Sequence, residues 1–148
     1  MPIHRRAFLA LSLAALAACA PKKPEPYRPG RTPEMDRLVD KYGKIYDIPA
    51  SLIHRVIQRE SDYNALARNG PYYGLMQILP QTAQTMGFSG PPSDLLDAET
   101  NLKYAAKYLR GAWLLSYGSQ DKAVSWYARG YYYEAKRRKM LKETGLVS

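Results

Sequence analysis

The sequence predicts a small all-α domain, and three observations carry that reading. From Thr32 onward, apolar residues recur at three- and four-residue spacing. No stretch alternates apolar and polar residues as a half-buried strand does. Proline, glycine and serine separate the periodic segments at positions that start or stop helices. Thr32-Pro33 supplies an N-cap and a proline at the first helical position, and Met35, Leu38, Val39, Tyr42 and Ile45 follow as one stripe. Pro49 and Ser51 open a second helix with Leu52, Ile53, Val56 and Ile57 on its apolar side. Residues 61–73 read as a loop, with Asn69-Gly70-Pro71 as a turn. A short helix is expected over 80–86, stopped by Gly87, and Gly90-Pro91-Pro92-Ser93 forms a second loop. A long helix over 98–117 carries Leu102, Ala105, Ala106, Leu109 and Trp113 and ends at Gly118. Residues 119–128 carry Ala123, Val124 and Tyr127, and a last, basic helix is expected over 132–141. No internal repeat is present.

The chain has 148 residues, 46% of them hydrophobic, which suits one domain with a packed core. One cysteine, Cys19, and two histidines, His4 and His54, exclude a disulfide framework and a Cys/His metal cluster. No metal and no cofactor is therefore expected. Thirteen tyrosines against two phenylalanines supply amphipathic rings, fit for a polar groove as well as a core. The net charge of +9 favours anionic partners: nucleic acid, anionic lipid or an acidic cell-wall polymer. Charge alone does not choose among them.

Residues 1–18 read as an export signal. His4, Arg5 and Arg6 precede an apolar run over 7–18, which is too short to cross a bilayer. The run ends in Leu16-Ala17-Ala18-Cys19, which resembles the lipobox of bacterial lipoproteins. Cleavage there would leave Cys19 as a lipidated N-terminus; the alternative is a plain secretory signal with an incidental cysteine. Arg5-Arg6-Ala7-Phe8-Leu9 also resembles a twin-arginine signal, although basic pairs are usual in any such leader. Residues 19–33 contain Pro21, Pro24, Pro26, Pro29 and Pro33 among charged residues, and read as an extended tether. The domain itself then spans 34–148.

Two features carry chemistry. Glu60 lies four residues after Val56 and eight after Leu52, so the core-facing side of the second helix ends in a carboxylate. Burial would keep that carboxyl protonated nearer neutral pH, as a general acid requires. The alternative is a frayed helix end whose carboxylate meets water or a lysine. The second feature is Gly74-Leu75-Met76-Gln77, a glycine before an apolar run that holds one amide. It reads either as backbone close to a ligand with Gln77 as a polar finger, or as a buried turn with a satisfied amide. His54 falls off the apolar stripe and reads as a surface histidine, with nothing pairing to it.

Glu60-Ser61, followed after a short loop by Gly74-Leu75-Met76-Gln77, resembles the soluble-type lytic transglycosylases, relatives of goose-type lysozyme. Tyr63 and Ala67 sit where that family has an aromatic residue and an alanine. The run Leu95-Leu96-Asp97-Ala98-Glu99-Thr100-Asn101-Leu102, with Ala105 and Tyr108-Leu109, is similar to its next helix. Residues 123–130 resemble its third motif, so the resemblance covers about residues 40–130. It implies a lysozyme-like domain with a substrate groove, acting on peptidoglycan glycan strands. It also implies one glutamate, Glu60, protonating the leaving oxygen and then accepting the proton of the muramic C6 hydroxyl, which closes an anhydro ring. Asp62, two residues on, is not assigned a second carboxylate role; in the family the substrate's own N-acetyl group is thought to serve instead. Ser61, Gly74, Leu75, Met76 and Gln77 match groove residues. Tyr127 matches a tyrosine whose hydroxyl supports the carboxylate. Asn69 stands near where the family places a substrate-contacting serine.

Several departures accompany these matches. The loop after Glu60 is about one residue short of the common pattern. Trp126-Tyr127-Ala128 replaces Ala-Tyr-Asn, and Tyr131-Tyr132-Tyr133 with a basic tail replaces the usual ending. That tail, Lys136-Arg137-Arg138-Lys139 with Lys142, reads either as attraction to an anionic surface or as a solvated helix face.

The expectation is a monomeric, lipid-anchored enzyme on the periplasmic side of the envelope, with no nucleic-acid partner. Ala20 after Cys19, in place of Asp, favours the outer membrane by analogy with known lipoproteins. The alternatives are a muramidase-type hydrolase on the same fold and a non-catalytic peptidoglycan-binding scaffold. A nucleic-acid binder is suggested by pI and aromatics but opposed by the export signal.

Overall fold

Thr32 starts the helical part of the chain as its spacing predicts. Its Oγ1 accepts a hydrogen bond from the Met35 amide at 3.1 Å, and Pro33 opens α1, Pro33–Tyr46. The computed structural model describes residues 28–147, so the expected export signal, Cys19 and residues 19–27 of the expected tether lie outside the described residues. The helix α2, Ala50–Glu60, follows after Asp47, whose left-handed backbone ends α1. That turn alters the predicted stripe of α1. Ile45 is 56% exposed, and Ile48, beyond the turn, takes the core position.

Two strands occupy the loop expected over 61–73, where the sequence shows no strand alternation. β1, Arg68–Asn69, pairs antiparallel with β2, Tyr72–Tyr73, and Gly70 turns between them at φ +56°. Each strand is two residues long, too short for a period-two pattern to show. The chain continues through α3, Pro80–Thr85, and a 3-10 helix, Pro92–Leu96, which occupies part of the second expected loop. Asp97 then caps α4, Ala98–Leu114, by accepting from the Thr100 amide at 2.8 Å. Ser119 caps α5, Gln120–Arg129, and α6 covers Tyr132–Arg137. The last helix thus stops short of the expected residue 141, and turns follow it among the described residues.

The helix α4 forms the axis of the domain, packing against α1, α3, α5 and the 3-10 helix. Leu102, Ala105, Ala106, Leu109 and Ala112 are fully buried on it, while Trp113, expected on this stripe, is only partly covered. The four apolar residues of α2 are fully buried against the same core. Tyr131 is buried too, and its ring stacks on Tyr108 at 4.6 Å. The replaced C-terminal ending therefore begins as core. Its basic tail is partly spent inside the fold: Arg137 and Arg138 both bond Glu134, and Arg138 also donates to the Leu115 carbonyl. Glu134 is held down at about 2 by these guanidinium hydrogen bonds.

His54 corrects the surface reading. Its side chain is 16% exposed, its Nδ1 lies 2.9 Å from the Tyr63 hydroxyl, and its Nε2 lies 3.6 Å from Asp36. Residues 28–31 dock at the same place. Arg28 pairs with Asp62, Arg31 donates to Asp36 at 2.9 Å, and Gly30 lies against the Tyr63 backbone. This end of the expected tether is thus fastened across the turn that leaves α2.

Candidate active site

Glu60 is the last residue of α2, and its side chain is 23% exposed. Val56, one turn earlier, is fully buried, so the helix carries the carboxylate from core to cleft. Burial raises its pKa above the usual glutamate range, opposed by Arg59, whose Nε lies 3.6 Å from Oε1. The alternative of a freely solvated helix end is not what the fold builds.

After Glu60 the chain turns sharply. Ser61 donates from Oγ to the Leu75 carbonyl at 2.7 Å, tying the helix end to the Gly74-Leu75-Met76-Gln77 segment. Asp62 and Tyr63 follow with positive φ of 48° and 68°. Asp62 pairs with Arg28 and does not line the cleft beside Glu60.

The segment 73–77 is held from behind by Asn101 of α4. This fully buried amide accepts from the Met76 amide at 3.0 Å and donates to the Tyr73 and Leu95 carbonyls, each at 2.8 Å. Gly74 sits against it with φ +74°, and a Cβ there would lie 2.4 Å from both Asn101 Nδ2 and the Leu95 oxygen. The close approach read from this glycine is therefore made to Asn101 and Leu95. Gly74→Ala adds left-handed strain to that overlap and should cost about 2 kcal/mol or more. A thermal melt checks it: a clear drop is expected, and an unchanged midpoint would contradict the packing described.

Leu75 and Met76 are wholly buried, so their side chains belong to the core. Gln77 is 9% exposed, with φ +49°. Its Nε2 donates to the Gly74 and Ala67 carbonyls at 2.9 and 3.1 Å, which leaves its oxygen as the polar atom toward the cleft. The buried turn with a satisfied amide is what the fold builds, and Gln77 also lines the cleft. Tyr127, on α5, donates its hydroxyl to the Met76 carbonyl at 2.8 Å. The hydroxyl expected to support the Glu60 carboxylate is thus bonded to the Met76 backbone. Burial pushes the Tyr127 phenol well above its usual range, and the Glu60 charge adds to the shift.

Glu60, Asn69, Gln77 and Tyr127 line a cleft of about 220 Å³, together with Arg59, Tyr72 and Ala128. Among the described residues, Glu60 is the only acid lining it. A second recess of about 300 Å³ shares Tyr72, Gln77, Tyr127 and Ala128 and runs on past Tyr108 to Gly130. Sequence reasoning named Asn69, Gln77, Tyr127 and Glu60 and missed Tyr72 and Arg59. Tyr72 is 42% exposed on the hairpin, and no local pattern marks it. Asn101 was quoted only as part of a motif. A polar residue inside an apolar helix was the signal available.

Because the native fold raises the Glu60 pKa, the native state holds its proton more tightly than the unfolded chain. Stability from this group therefore falls as pH rises from the usual glutamate value, 4.5, through the raised one. Glu60→Gln should melt higher than the parent at neutral pH, and the difference should vanish below that window. Parallel melts at the two pH values check this.

An α-helical domain with a half-buried carboxyl at the edge of a groove has the design of a lysozyme-like protein. Residues 37–144 match the transglycosylase SLT domain, and the chain belongs to that lytic transglycosylase family. Protein IpgF of Shigella sonnei is 33% identical over 98 residues, covering 62% of this chain and 64% of that protein. Protein IpgF of Shigella flexneri matches to the same extent. The matched region thus spans just under two thirds of these curated relatives.

Proposed function

We propose that the protein is an exported lytic transglycosylase that cuts peptidoglycan between N-acetylmuramic acid and N-acetylglucosamine, with Glu60 as its single acid and base. The observation that carries this reading is one half-buried carboxyl, raised in pKa, as the only acid among the described residues that line the cleft. Most glycosidases divide the work between two carboxylates about 5–10 Å apart. Here the protonated Glu60 gives its proton to the leaving glycosidic oxygen as the bond to C1 breaks. The resulting carboxylate takes the proton of the muramic C6 hydroxyl while that oxygen bonds to C1. The glutamate ends protonated as it began, and no water is consumed. Raised pKa favours the first half, and the Arg59 guanidinium steadies the carboxylate in the second.

The remaining residues hold the groove. Ser61, Gly74 and Tyr127 position the 74–77 backbone, while Gln77 and Asn69 offer polar atoms to the sugar. Residues 1–18 as a leader and Cys19 as a lipid anchor would place this domain on the periplasmic side of the envelope, at the outer membrane. Among the described residues no helix is long and apolar enough to cross a membrane.

The test uses a soluble form beginning at Ala20, which retains residues 28–31 and their docking on Asp62 and Tyr63. Incubation with purified peptidoglycan should release muropeptides with anhydro ends, one water lighter than reducing ends by mass spectrometry. Reducing ends would identify a hydrolase. Binding without release would identify a scaffold.

A further inference from the structure

Ala128, which stands where the family has asparagine, lines the Glu60 cleft and also a neighbouring recess of about 380 Å³ between α2 and α5. Arg55, Arg59 and Arg129 project around that recess, with Asp121 the only acid lining it among the described residues. Asp121 is already engaged by Arg55 at 2.6 Å. Arg59 is turned partly toward Glu60. No carboxylate among the described residues pairs with Arg129, whose guanidinium lies 3.9 Å from the centre of the Trp126 ring. Contact with an indole face leaves the in-plane N–H groups of a guanidinium available, and their fork matches a carboxylate. The recess continues along α2 past Gln58, so it can follow a chain leaving the cleft.

We infer that this recess binds a carboxylate of the peptide stem carried by the muramic sugar beside the scissile bond. This rests on the reading of the cleft as a peptidoglycan site. A stem branches from the sugar, carries free carboxylates, and must leave the groove sideways. Ala128 and Arg59 line both the cleft and the recess, so the two adjoin there, with only a methyl group on the α5 side. Arg129 supplies the planar contact, and Arg55 and Arg59 supply field. The strand is thereby oriented through its branch as well as through its sugars.

The test measures binding of the full chain in detergent, as Glu60→Gln so that no turnover occurs, at one low ionic strength. The ligands are soluble glycan strands whose only carboxylates lie on the stems, either free or converted to amides. Free-carboxylate strands should bind about three- to tenfold tighter, the scale of one or two partly exposed charge-assisted contacts. Adding Arg55→Gln and Arg129→Gln should bring that ratio to about one while leaving affinity for the amidated strand unchanged. Equal affinity of the parent for both ligands would overturn the proposal. So would a ratio that survives the double substitution. Product release by the unsubstituted chain is scored separately on the free-carboxylate strands. Its failure would remove the cleavage reading, and the affinity ratio would still decide this one.

Discussion

Glu60→Gln is expected to lower the rate of anhydro-product release by about 10²–10⁴-fold while leaving binding of glycan strands nearly intact, the range of a lost general acid and base. Gln keeps the shape and half the hydrogen-bonding capacity of the side chain but cannot transfer a proton. The loss should therefore fall on kcat rather than on affinity. The parent enzyme should also lose activity as pH rises, because the reactive ground state is the protonated acid. Its raised pKa moves that loss above the ordinary glutamate range. Initial rates across pH, for parent and variant, check both statements. A variant that retains parental activity would remove Glu60 from the chemistry.

Asn101→Ala should be the most damaging substitution away from the cleft. Asn101 makes three hydrogen bonds in a site with no exposure; its removal strands the Met76 amide and the Leu95 carbonyl and leaves the Tyr73 carbonyl with the Ile78 amide alone. Each buried polar group left unpaired costs roughly 1–3 kcal/mol, so a total of about 3–5 kcal/mol is expected. For a domain of this size that lowers the melting midpoint on the order of 10 °C or more. Activity should fall with it, since the released backbone is the one that Ser61 and Tyr127 hold beside Glu60. Asn101→Asp should be no better. It keeps an acceptor for Met76 but turns a negative oxygen toward two carbonyls. A variant that melts and cleaves like the parent would show that this amide does not organise the site.

The parts of the molecule that were legible in the sequence are those governed by local periodicity. Leu52, Ile53, Val56 and Ile57 mark a buried helix face, and the same 3.6-residue count carries Glu60 to the edge of it. Thr32, Asp97 and Ser119 cap helices through hydrogen bonds that span only three residues. What the sequence did not show depends on partners far along the chain. Asn101 acts on residues 25 and 28 positions away, and nothing around it announces which carbonyls it will meet. The pairing of His54 with Tyr63 needs the two left-handed residues after α2, and neither is a glycine that would have signalled them. Tyr127 is marked by resemblance as a support of the carboxylate, and only the fold shows that its hydroxyl is held by the carbonyl of Met76, whose amide Asn101 holds in turn.

The exposed hairpin shows the same limit on a smaller scale. Asn69-Gly70-Pro71 announces a turn, and two residues on each side are too few for alternation to reveal strands. The turn nevertheless sets Asn69 and Tyr72 opposite each other, and both line the cleft with Glu60. Side chains from two directions thus converge where sequence reading saw one loop.

The central claim is that one carboxyl serves both proton transfers and that the sugar's own hydroxyl, not water, takes the bond to C1. Digestion of purified peptidoglycan in water enriched in oxygen-18 tests it most directly, with released muropeptides weighed by mass spectrometry. The account predicts anhydro ends that carry no heavy oxygen. New reducing ends, bearing oxygen-18 at C1 in excess of a reducing-sugar control that exchanges its anomeric oxygen with the same water, would contradict it, since that excess arrives with water attacking in place of the C6 hydroxyl.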